Sequence, residues 1–256
     1  MLSEKAILEK LQEAREAASP LTAFTAESPE FSVEQAYRVQ RLGLESALAK
    51  GSELSGYKMG LTSRAKQVDV NVDQAICGYL LKEFEKDPFE GIERARYIHP
   101  RAEPELVIVM GKALKGRPSL REVAAAVDYV TIGLELLDSR YEKFQFKLPD
   151  VIADNTSAGA YVVGRTPVRT DWESLRLKGV LLRKNGRLVQ TGCPAAALGD
   201  PLQSVRQLVC QLAEWEVPLE PGQLVFTGGV TASVPFEAGD LIECEWPYEK
   251  LSIGVK

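Results

Sequence analysis

The chain has 256 residues, 45% of them hydrophobic and 26% charged, which suits one large domain or one domain with a smaller appendage. Its formal net charge of −5 comes without a basic stripe, so the electrostatic footprint of a nucleic-acid binder is missing. A single histidine, His99, excludes multi-histidine metal sites and leaves one candidate for any Ser-His or Cys-His relay.

The opening residues, MLSEKAILEKLQEAREAAS, are charged throughout and lack the apolar core of a signal peptide. The first fifty residues read as helix. Ser32, with Gln35 three residues on, begins a capping box, and Gly51 offers a stop. From about Gly56 the texture changes to short apolar runs divided by Gly, Pro and Asn. ELVIVMG reads as a buried strand. SLREVAAAVDYV follows, with Ser119 and Glu122 as a second capping box. Val123, Ala126, Val127 and Val130 recur there at the spacing of one helix face. IGLELLDS and AYVVG are strand-like. GVLLRKNGRLVQTG predicts a hairpin at Asn185-Gly186. GDPLQSVRQLVCQLAEW predicts a helix capped by Asp200 with Pro201 in its first turn. GQLVFTGG and GDLIECEW are closing strands.

Residues 1–55 are thus expected to form an N-terminal helical segment, and residues 56–256 a β-rich catalytic domain. The fold class is α+β, and its short strands suit a rolled sheet or barrel better than regular βαβ alternation. Cys77, Cys193, Cys210 and Cys244 form no CxxC pair, which points to reduced thiols in a cytoplasmic protein. No run reaches the roughly 20 apolar residues of a membrane span, so no membrane contact is expected.

Chemistry concentrates in HPRAEPELVIVMGK, His99 to Lys112. On a strand, residues i and i+2 share a side, so Glu103 and Glu105 project together if the strand already begins there. Such a pair is either a solvated strand end or a cradle for a divalent cation, since buried like charges need compensation and carboxylates are hard ligands. Glu135, set among leucines in GLELLDS, is a third acid for the second reading, and Asp138 is its rival. Lys58 in GYKMGLTSRAKQ is either a surface lysine or a cation beside the metal. The paired glycines of FTGGVTASVP make either a turn or a backbone approach to a ligand, with Thr231 as a donor. His99 has no carboxylate partner set by the sequence and reads as structural.

Five segments occur in a telling order: GYKMGLTSRAKQ, VDQAICGYL, HPRAEPELVIV, LELLDSRYEKFQFKLPDVIADNTSAGAYVVG and FTGGVTASVPFEAGD. Over about Gly56 to Asp240 they resemble the hydratase/decarboxylase branch of the fumarylacetoacetate hydrolase superfamily. The resemblance implies a mixed β-roll or barrel core and a Mg²⁺ or Mn²⁺ held by Glu103, Glu105 and Glu135. It places the active-site lysine at Lys58 and a substrate-binding serine at Ser157. Thr231 and Arg140 are further candidates for orienting substrate carboxylates, and Arg140 could equally make a structural ion pair.

LDSRYEKFQFKLPDVIADN and GGVTASVP look like the decarboxylase members of the branch. Hydratases tend to carry an acid in the segment after VDQ, where this chain has Ile76. Asp200 stands where relatives usually have histidine. The resemblance therefore implies loss of CO₂ from 2-oxohex-3-enedioate, giving 2-hydroxypenta-2,4-dienoate in meta-cleavage aromatic degradation. Hydration of that dienol, hydrolysis of an acylpyruvate and a non-catalytic partner role are the alternatives. Homo-oligomerisation and a complex with the hydratase are expected of such a protein.

Overall fold

The computed structural model describes residues 3–63, 67, 74–169 and 172–256. Residues 64–66, 72 and 73 of the motifs above lie outside the described residues. Helices α1 (Glu4–Glu16), α2 (Phe24–Glu27) and α3 (Val33–Ala49) come first. The Ser32–Gln35 capping box is formed in both directions, and Gly51 follows α3 at φ 94°. Among the described residues no helix is long and apolar enough to cross a membrane.

The larger sheet contains β1 (Leu54–Gly60), β2 (Ile76–Leu81), β3 (Arg101–Met110), β4 (Val127–Leu137), β5 (Ala158–Val163) and β8 (Leu224–Gly229). Their order is β2-β1-β8-β3-β4-β5, and the short β9 (Val234–Pro235) pairs with the start of β3. β1 runs parallel to β8, while the other pairs in this sheet are antiparallel. A second, antiparallel sheet has the order β11 (Glu249–Gly254), β10 (Leu241–Trp246), β6 (Val180–Lys184), β7 (Arg187–Gly192). The mixed architecture is the α+β one expected.

β3 is central, flanked by β4 and β8, and is buried from Ala102 to Met110. That explains its unbroken LVIVM run, because a strand covered on both faces has no polar side to alternate with. Leu106, Ile108, Val130 and Ile132 share one core cluster with Leu182, Ile242, Cys244 and Ile253 of the second sheet. The late helix (Pro201–Ala213) adds Leu202, Val205, Leu208, Val209 and Leu212 to it, and Asp200 caps that helix by accepting from Leu202 N at 2.9 Å. The β6–β7 hairpin turns on Asn185 and Gly186 at φ 54° and 75°, the two positive values that this turn type needs.

One expectation is corrected. Val127 and Val130 do not extend a helix face. The helix stops at Ala126, and Val127 begins β4, with Val130 opposite Ile108 of β3. Gly111 N and Lys112 N both donate to Ala126 O and close the helix end. The β-branched residues Val127, Val130, Thr131 and Ile132 favour the strand, and the open place beside β3 accepts it.

The N-terminal helices reach the later site indirectly. α3 presents Gln40, whose Nε2 donates to Cys77 O of β2 and to Ile152 O of a short helix, Leu148–Ala153. Ile7, Leu11, Val39, Ile76, Tyr141 and Ile152 share the core cluster beneath.

Candidate metal centre and its cavity

Pro104 lacks an N–H, yet the strand runs straight through it. The register is Glu103 opposite Glu135, Pro104 opposite Leu134 and Glu105 opposite Gly133. The Pro104 carbonyl accepts from Val230 N at 3.0 Å, so its nitrogen also faces the β8–β9 side. There the ladder is interrupted: β8 ends at Gly229 opposite Glu105, and β9 resumes at Ala102. A proline at such a gap leaves no ladder bond unmade.

Strand alternation and this register bring Glu103, Glu105 and Glu135 to one face. One carboxylate oxygen from each lies within 4.8 Å of the others, and all three residues are buried. Lys58 of β1 joins them, also buried, with Nζ ion-paired to Glu135 Oε1 and donating to Thr156 O at 2.9 Å. β1 and β4 are three places apart in the sheet order. In a flat sheet that is about 14 Å at 4.8 Å per strand, so only curling of the sheet permits the contact. Glu105 Oε2 accepts from Gly228 N at 2.7 Å.

Burial pushes the Glu105 carboxyl well above the usual carboxylate range; repulsion from Glu135 and Glu103 adds to this and Lys58 opposes it. Glu135 is likewise raised by burial, against the pull of Lys58. Glu105 Oε1 and Glu135 Oε2 are buried without a hydrogen-bond partner. Among the described residues Lys58 brings one ammonium to these three carboxylates, and a divalent cation would compensate their repulsion further. An all-oxygen donor set with unsatisfied buried oxygens fits a hard cation of the Mg²⁺, Mn²⁺ or Ca²⁺ kind.

Above the acids opens a cavity of about 290 Å³. Lys58, Glu103, Thr156 and Ser157 line it, together with Leu61, Ile76, Leu137, Phe144, Phe146 and Val151. Ser157 Oγ is buried there without a hydrogen-bond partner. It belongs to a run of three residues in left-handed backbone, Asn155, Thr156 and Ser157, at φ 48°, 54° and 55°. That conformation costs free energy in non-glycine residues, so it must be held from outside. Asn155 supplies two bonds to Tyr79, from its Nδ2 to the carbonyl and from the Tyr79 N–H to its Oδ1. Thr156 Oγ1 donates to Cys77 O at 3.0 Å. A Cβ at Gly78 would lie 2.9 Å from Asn155 O, so the turn also requires a glycine beneath it.

Other candidates take different places. Asp138 stands outside the cluster of three glutamates: its carboxylate accepts from Ile98 N and His99 N and positions the entry to β3. Thr231 lies between the lining residues Gly229 and Ser233, but it does not line the cavity, and its hydroxyl donates to Ala232 O. Arg140 is directed elsewhere. It pairs with Asp154 and donates to Ala158 O and Asp154 O, and it borders a separate cleft with Arg15, Tyr97 and Asp138. Each of its three guanidinium nitrogens donates to a group inside the protein, the arrangement of a structural ion pair. His99 packs its ring on Phe144, centroids 4.7 Å apart, behind the cavity wall.

Arg101 was not singled out from the sequence, yet it lines the cavity. The available signal was its spacing. It stands two residues before Glu103 and so shares that side of the strand.

The family model for the fumarylacetoacetate (FAA) hydrolase C-terminal region matches residues 63–254. A 4-oxalocrotonate decarboxylase of Pseudomonas sp is 38% identical over 214 residues, covering 83% of this chain and 82% of the relative. A 2-keto-4-pentenoate hydratase of Paraburkholderia xenovorans (strain LB400) is 33% identical over 237 residues, 92% and 88% of the two chains. Among solved structures, 4-oxalocrotonate decarboxylase from Pseudomonas putida G7, complexed with magnesium and adipate, superposes with a TM-score of 0.92 at 34% identity. It covers 100% of this chain and 99% of that one.

Proposed function

This chain belongs to the fumarylacetoacetate hydrolase family, in its hydratase/decarboxylase branch, and is a lyase; from that premise we propose that it decarboxylates 2-oxohex-3-enedioate to 2-hydroxypenta-2,4-dienoate. The observation that carries this reading is the cavity wall. Among the described lining residues Glu103 is the one carboxyl group, and Ile76 stands where hydration would want a proton-moving acid. A decarboxylation needs no activated water, and an apolar wall keeps water out. Three relatives named 4-oxalocrotonate decarboxylase agree with it, as does the magnesium and adipate complex of the Pseudomonas putida G7 enzyme.

Glu103, Glu105 and Glu135 would hold the divalent cation, for which we propose Mg²⁺. When bound, it supplies Lewis-acid stabilisation of negative charge on the substrate's C2 oxygen. The protein's own groups do the rest. The substrate is a vinylogous β-keto acid. As the C5–C6 bond breaks, its electron pair forms C4=C5, the C3=C4 pair moves to C2=C3, and the charge settles on the C2 oxygen. Lys58, fixed by Glu135 and Thr156 O, holds the proton destined for that oxygen. Ser157 Oγ, buried and unpartnered, is a donor for the C1 carboxylate. Leu61, Ile76, Phe144, Phe146 and Val151 surround the remaining carbon chain. The dienol product is the substrate of a hydratase, which supports the expected association with one.

The deciding experiment supplies the Mg²⁺-loaded protein with 2-oxohex-3-enedioate and, separately, with 2-hydroxypentadienoate. Stoichiometric CO₂ from the first and slow loss of the second are expected. Rapid consumption of the dienol by this chain alone would make it the hydratase instead. Glu105→Gln should lower turnover and Mg²⁺ affinity together, by at least about a hundredfold. Unchanged turnover would remove the metal site from the mechanism.

A further inference from the structure

We propose that Arg101 anchors the far, C6 carboxylate of the substrate and is the residue that makes a dicarboxylate the preferred ligand. The inference rests on reading the cavity as a 2-oxo acid site. Along the face that carries the acids, the register places Gly133 opposite Glu105, Glu135 opposite Glu103 and Leu137 opposite Arg101. Arg101 is therefore the next group outward from the metal cradle, and it lines the same cavity.

Two cations line that cavity among the described residues, Lys58 and Arg101. Lys58 is committed to Glu135 and Thr156 O. Arg101 donates from Nε to Ser233 Oγ at 2.8 Å and from Nη2 to Ser233 O at 2.9 Å. Its guanidinium also lies 5.8 Å from the Phe144 ring centroid. These contacts orient the group without neutralising it, since neither hydrogen bond goes to an acid. A planar guanidinium held in this way is suited to grip a carboxylate through two N–H groups.

The distances agree. One two-residue step along a strand is about 6.6 Å. Five C–C bonds of about 1.5 Å span about 6 Å in an extended six-carbon chain. A ligand with its 2-oxo acid end at the three glutamates thus brings its other end to Arg101. Leu61, Ile76, Leu137, Phe144 and Phe146 lie around it.

This placement has a kinetic consequence. The grip exists while C6 is a carboxylate and vanishes as neutral CO₂ forms. Arg101 therefore strengthens binding of the substrate but not of the transition state. Arg101→Gln should raise KM about 10- to 100-fold, the range of hydrogen bonds to a charged group. Its kcat should stay level or rise.

Calorimetry on the Mg²⁺-loaded protein with oxalate, adipate and hexanoate tests the anchor directly. Adipate should bind at least about tenfold more tightly than hexanoate to the wild type. Arg101→Gln should abolish that advantage, Arg101→Lys should keep part of it, and oxalate should bind all three proteins alike. Equal binding of adipate and hexanoate to the wild type overturns the anchor, even if the Gln variant does not fold. So does an adipate advantage that survives Arg101→Gln, or a fall in kcat at unchanged KM. Failure of oxalate to bind the Mg²⁺-loaded wild type would overturn the 2-oxo acid reading itself.

Discussion

Arg140 and Asp154 form a buried ion pair next to the left-handed turn that carries Ser157. Burial pushes Asp154 up from its ordinary 3.8 to about 6, against the pull of Arg140. For an acid raised in this way, the contribution to stability is fully present below 3.8 and is lost as pH rises through about 6. Removing Arg140 would raise the folded value further. Arg140→Gln should therefore destabilise the fold by about 3–5 kcal/mol at pH 8 and by clearly less at pH 5. Urea unfolding at the two pH values measures this, and a gap that does not widen with pH would refute the assignment. The motif LDSRY drew attention to Arg140, but Arg101 faces the cavity. A motif names the residue type; only its neighbours decide whether the charge is already spent.

At the scale of elements, the metal cradle depends on how β3 and β8 meet. Gly228 stands at φ 110°, and a Cβ there would lie 2.0 Å from Thr62 Oγ1. Its N–H is also the donor to Glu105. Gly228→Ala should cost about 2–4 kcal/mol from backbone strain and the clash. It should weaken Mg²⁺ binding as well, because the Glu105 carboxylate loses its fixed donor. Thermal unfolding and calorimetry together check both effects; a variant with normal Tm and normal Mg²⁺ affinity would show that β8 does not position Glu105. The corrected helix end at Ala126 teaches the same lesson. A 3.6-residue pattern of valines and alanines resembles a helix face, but the vacancy beside β3 turns its second half into a strand.

Across the whole molecule, Lys58 and the three glutamates tie β1, β3 and β4 together at the centre of one curled sheet. A cation bound there would act on the global unfolding of the 256-residue chain. At a hundredfold excess over Kd, Mg²⁺ should stabilise by about 2.7 kcal/mol. That corresponds to about 5–10 °C in Tm for a chain of this size. Scans in EDTA and in Mg²⁺ would reveal the shift, and identical curves would count against a cation at this site.

The sequence by itself determined most local structure, because capping boxes, the Asn185-Gly186 turn and continuous apolar strands are encoded by near neighbours. It also marked Glu103 and Glu105 as a pair, since strand alternation needs only two residues of separation. Tertiary structure alone decided which acid completes the cluster. Glu135 faces Glu103 across the ladder, whereas Asp138, three residues on, accepts from backbone at the strand's end. It likewise decided that Lys58 meets Glu135, that Ser157 is left with an unpartnered hydroxyl, and that Arg101 rather than Arg140 reaches the cavity. These are contacts between segments far apart in the chain. They follow from register and from the curl of the sheet, which no local pattern of residues records.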